Sequence, residues 1–171
     1  MEASPDMIID QLSENLANLI TDKLEAASIS SPLVIVDLFY HYADIYIPLV
    51  SYVTIGRLQE RLASDGFSLF EQKEGPIHID LGPVEEQMDQ MMELEWNQEG
   101  LPDIGRRMIR KTAAILNQTR LHGRVATHDL FGAYAADGTV EGHSPEQWEE
   151  ILTTCGMSAQ QRANWKRMRL F

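Results

Sequence analysis

Between Pro32 and Leu62 the chain reads PLVIVDLFYHYADIYIPLVSYVTIGRLQERL, the one place where long apolar, β-branched and aromatic runs come back to back. Leu33 to Tyr40 and Ile45 to Val53 read as two strands of a hairpin broken at Ala43 and Asp44, since such residues suit a pleated, half-buried surface. A helix should follow at once: Thr54 can cap it, Leu58 and Leu62 share a face, and Gly66 can supply the left-handed residue that stops it. Pro48 has no N–H for a ladder, which places the second strand at a sheet edge or a bulge and makes the first strand the inner one.

The flanks read mostly as helix. Ser4-Pro5 is a helix start, and Ile8, Leu12, Leu16, Leu19 and Ile20 recur every three or four residues, the stripe of an amphipathic helix to about Ala27. Gly75-Pro76 signals a turn before a short alternating strand, Ile77 to Leu81. Pro83 opens a helix with Val84, Met88, Met91, Met92 and Trp96 on its apolar face, ended by Gly100 to Pro102. Asp103 can cap the next, carried by Ile104, Met108, Ile109, Ala113 and Leu116. Val125 to Ala136 looks strand-like, followed by an Asp137-Gly138 turn. Ser144 with Gln147 and Ser158 with Gln161 are capping boxes for two last helices that carry Trp148, Ile151, Leu152, Trp165 and Met168.

The 171 residues suit a single domain, 1–171, with one sizeable core. Strands gathered in the first half and helices in the second predict an α+β fold: an antiparallel sheet of three to five strands with helices packed mainly on one face. No apolar run reaches the roughly 20 residues of a membrane helix. The N-terminus carries Glu2, Asp6 and Asp10 where a signal peptide would carry bases, and a lone Cys155 suits a reducing compartment, so a cytoplasmic location is expected.

Twenty-six acids against fourteen bases give a net charge of −12, which argues against nucleic acid and anionic membranes as partners. The charge is segregated: residues 80–103 hold eight acids and no base, and 104–128 hold six bases and no acid. Glu85, Glu86, Asp89 and Glu93 form an acidic ridge on one helix, and like charges at that spacing cost about 0.2–0.5 kcal/mol per pair. Two compensations are open, the bases Arg106, Arg107, Arg110 and Lys111 of the next helix or a basic partner protein.

Chemistry is sparse. No phosphate loop, dinucleotide fingerprint, nucleophile elbow, HExxH or paired-cysteine zinc pattern occurs, and no cofactor is implied. His78 and Asp80 would share a strand face, and with His128, Asp129 and His143 they offer donors for a divalent metal, although a solvated strand face accounts for them as well. Cys155 sits near a helix C-terminus, which suits a buried structural thiol over a reactive one. Asp37 interrupts an apolar strand and is expected on an open sheet face, because a carboxylate buried without a partner is costly.

The order of an N-terminal helix, a hairpin running into VSYVTIGRLQERL, a basic helix and then LFGAYAADGTVEGHSPEQWEEIL resembles small bacterial domains grouped with polymorphic-toxin immunity proteins. The resemblance implies a cytosolic α+β protein that neutralises a cognate toxin by covering it, and it assigns no residue a role. The functional expectation is therefore a non-catalytic acidic protein-binding domain, with Glu85, Glu86, Asp89 and Glu93 toward a basic partner. The alternative is a small hydrolase or metal-dependent enzyme built on His78, Asp80, His128 and Asp129.

Overall fold

The apolar run at Leu33 becomes the centre of a four-stranded sheet. A computed structural model describes residues 4–40, 48–62, 73–97, 104–137, 143–168 and 170. Its strands are β1 (Leu33–Tyr40), β2 (Leu49–Thr54), β3 (Glu74–Ile77) and β4 (Thr127–Asp137), in the spatial order β3-β2-β1-β4. β1 pairs antiparallel with β2, and β2 with β3, whereas β1 and β4 run parallel, Asp37 standing opposite Tyr134. The fold is α+β as expected, but the sheet is mixed and not antiparallel. Parallel pairing needs a long crossover, and here it takes all of the chain between β1 and β4.

The sheet's flank is filled by one helix of that crossover together with helices from before β1 and after β4. The helices are α1 (Pro5–Ala26), α2 (Ile55–Leu62), α3 (Glu85–Asn97), α4 (Ile104–Thr119), α5 (Pro145–Thr154) and α6 (Ala159–Arg167). α1, α3 and α4 pack on one another, α4 lies against β4, and α5 and α6 close on the same strand. Leu12, Leu16, Ile20 and Leu24 of α1 and Met108, Ile109, Ala113 and Leu116 of α4 are buried in one core with Val34 to Leu38 of β1. The local signals act as read: Ser4 caps α1, Thr54 Oγ1 accepts from the Arg57 N–H at the start of α2, and both capping boxes form. Among the described residues no helix is long and apolar enough to cross a membrane.

Two strand assignments change. β3 lies on Glu74–Ile77, so His78 and Asp80 stand beyond its end and the expected turn at Gly75-Pro76 is inside it. Gly75 has φ +114°, and a Cβ there would come within 2.9 Å of the Val50 carbonyl oxygen. Only glycine lets this strand approach β2 so closely. β2 is an inner strand and not an edge: Pro48 precedes it, and the missing donor falls outside the ladder. The irregularity that proline suggested appears instead in the β2–β3 register, between Val50 and Tyr52. The hairpin turn at Ala43-Asp44, the stop at Gly66, the Gly100–Pro102 break, the Asp103 cap, Gly138 and the Trp96 side chain lie outside the described residues.

Candidate functional site

β1 is buried on both faces, so Asp37 has no open face to point to. Its side chain is 1% exposed, and Oδ2 forms an ion pair with Lys73 Nζ, delivered from the residue just before β3. This corrects the expectation of a solvated carboxylate. Register places Tyr134 beside Asp37 on the same face, and Lys73 Nζ stands 5.8 Å from the centroid of its ring. The Asp37 Oδ1 and Tyr134 hydroxyl atoms are both buried, and the hydroxyl lies close enough to the carboxyl to act on it as a donor. Burial pushes the Asp37 carboxyl above its ordinary range, and the Lys73 ammonium opposes that rise. Burial and then the Asp37 charge push the Tyr134 hydroxyl well above the tyrosine range. Trp148 and Trp165 meet the Tyr134 ring edge-on at 5.4 and 6.1 Å.

The outer edge of β4 is closed by side chains. Asn117 of α4 donates to the Ala133 carbonyl at 2.8 Å and to the Cys155 carbonyl at 2.6 Å, and accepts from the Ala133 N–H at 2.7 Å. Gln161 and Trp165 donate to the Phe131 and Leu130 carbonyls, and Cys155 Sγ accepts from the Ala135 N–H. An edge strand otherwise presents a row of unpaired groups to other chains. Cys155 is fully buried, and burial raises its thiol to about 12, so it is an unreactive structural thiol as expected. Asp37, Tyr134 and Cys155 are all buried, so this part of the β1–β4 seam joins elements and keeps these three groups from solvent.

The histidines and aspartates proposed as a metal set are not brought together. His78 and Asp80 are exposed past the end of β3, Asp80 Oδ1 accepting the Gly82 N–H at 3.0 Å. His128 and Asp129 lie in β4 at the opposite edge, with His128 Nδ1 accepting from the Leu130 N–H at 3.2 Å. Three strand spacings, roughly 14 Å, separate the two edges. His143 instead meets the Trp148 ring edge-on. Among the described residues no three His, Cys, Asp or Glu side chains stand together as a metal would need.

The acidic ridge has a different fate. Glu85, Glu86, Asp89 and Glu93 are all exposed, while Met88 and Met91 on the opposite side of α3 are buried core. The bases expected to compensate them turn elsewhere: Arg107 pairs with Asp6, Lys111 with Asp10, and Arg110 with Glu150. Beyond α4, Arg124 pairs with Asp22 and Glu25. Among the described residues no ion pair engages the four α3 carboxylates. Arg107, Arg110 and Lys111 thus do not compensate the ridge, because they pair with acids of α1 and α5.

Sequence reasoning missed Lys73, Tyr134 and Asn117. Only Asn117 left a signal, an amide next to Leu116 inside an apolar helical stripe. Comparison with protein-family models, with curated proteins and with solved structures gives no match.

Proposed function

We propose that the protein is a non-catalytic acidic interaction domain that docks a basic protein partner on the exposed face of α3. The observation that carries this reading is the row Glu85, Glu86, Asp89 and Glu93, exposed and outside every ion pair among the described residues while the neighbouring bases are taken by other acids. A helix that keeps repelling charges on one side while burying methionines on the other is stabilised from its core side, which leaves the ridge free to steer a cation-rich surface. The dispersal of His78, Asp80, His128 and Asp129 favours binding over a metal-dependent activity. The resemblance to immunity proteins adds a direction, in which covering the partner neutralises it.

Affinity capture with the wild type and with Glu85→Lys/Asp89→Lys, followed by association kinetics of the captured protein, tests this. The expected partner is basic, and the double reversal should slow its association by about tenfold or more at low salt and flatten the salt dependence. An association rate that the reversal leaves unchanged at low salt sinks the proposal.

A further inference from the structure

β4 does not run evenly along β1. Between Leu33 and Ile35 of β1 the pairing jumps from Thr127 to Gly132 of β4, so the four residues His128 to Phe131 stand opposite Val34 alone. A bulge of this kind takes backbone groups out of the ladder, and each then needs another partner. Side chains supply them here. Arg120 Nη2 donates to the His128 carbonyl at 2.8 Å, Trp165 Nε1 to the Leu130 carbonyl at 2.7 Å and Gln161 Nε2 to the Phe131 carbonyl at 3.0 Å. The Leu130 N–H donates to His128 Nδ1 at 3.2 Å.

The guanidinium, the indole and the carboxamide donate at every physiological pH. The imidazole is different, because this side chain changes charge between about pH 5 and 8, and only the neutral ring keeps a nitrogen that can accept. Once protonated, Nδ1 is a donor and meets a donor. Among the described residues the charged groups of the elements packed about the bulge are Asp129 of the same strand, Arg120 just after α4, whose Nε also donates to Thr127 Oγ1 at 3.1 Å, and Arg167 of α6, which lines one pocket with Leu130. β1 brings only Leu33, Val34 and Ile35 to this stretch.

We propose that the β4 bulge is a pH-sensitive switch in which neutral His128 holds the Leu130 N–H and protonated His128 releases it, loosening this end of β4 in mild acid. The switch is separate from the α3 surface. It is also local, since the Ala133 and Ala135 amides further along β4 are held by Asn117 and Cys155. Amide hydrogen exchange of the full chain, followed by NMR at about pH 7.5 and about pH 5.5 and expressed as protection factors, tests it. The Leu130 amide should lose protection about threefold or more in acid, the worth of one hydrogen bond, while Ala133 and Ala135 keep theirs. His128→Asn sets a carboxamide oxygen in place of Nδ1, an acceptor that does not titrate, and should keep Leu130 protected at both pH values. His128→Ala should lower that protection at both. A Leu130 amide unprotected at about pH 7.5, a wild type without pH dependence, an equal acid loss at Ala133, or the same loss in His128→Asn overturns the switch.

Discussion

Asp37 and the α3 row carry the same chemical group in opposite surroundings. At the centre of the sheet one carboxylate is enclosed on all sides, and a lysine from the residue just before β3 meets it. On α3 four carboxylates face water, while Arg107, Arg110 and Lys111 of α4 pair with acids of α1 and α5. The lesson is about solvent. Water screens the α3 charges well enough that the helix tolerates their repulsion, whereas a charge in the interior must be answered in place.

The sharpest way to break this contrast is to remove the answer. Lys73→Met leaves Asp37 buried without its cation and should lower unfolding stability by about 3–5 kcal/mol, with Asp37→Asn in the same background recovering much of it. A loss below about 1 kcal/mol in urea unfolding would mean that Asp37 is neutral in the folded protein and needs no counter-charge.

A smaller effect tests the protonation of Asp37 directly. Its folded carboxyl titrates above the ordinary 3.8 because burial outweighs Lys73. Between that ordinary value and the raised folded one, the folded protein keeps a proton that the unfolded chain has released. The stability this supplies is full below the ordinary value and is lost as pH rises through the folded one. Asp37→Asn has no such dependence, so its stability relative to the wild type should improve as pH rises above the ordinary carboxyl value of 3.8. A difference that stays flat with pH would place the carboxyl at its ordinary value.

The smallest effects separate the two acidic surfaces. Asp10→Lys sets a cation against Lys111 and should cost about 1 kcal/mol or less. Glu85→Lys/Asp89→Lys should leave the isolated protein unchanged or raise its stability by about 0.2–0.5 kcal/mol, because it breaks a row of like charges. If thermal unfolding shows the α3 reversal to be the more damaging of the two, the ridge is paired in solution and the contrast fails.

Helix positions were legible because their causes are local. The stripe Leu12, Leu16, Ile20 and the caps at Ser4, Ser144 and Ser158 each act within a few residues, and the helices follow them. Cys155 was legible for the same reason, by its place at a helix end. Strands were read less well. β3 was shifted because Gly75-Pro76, a turn signal in isolation, sits in the strand where the Val50 carbonyl leaves no room for a side chain. The exposure of the α3 row could be read from its spacing against Met88 and Met91, but the destination of the α4 bases could not.

The sequence by itself determined the helices, the central place of Leu33–Tyr40 and the segregation of charge, because periodicity, capping and composition are properties of neighbouring residues. Only the tertiary structure decided that β4 joins β1 in parallel, that Lys73 reaches Asp37, that Asn117 seals the β4 edge, and that Arg107 and Lys111 face α1. Each of these joins groups that the chain holds far apart, and it is burial that selects the pairing: once water is excluded, a charge or a backbone amide must take whichever partner the packing brings within reach.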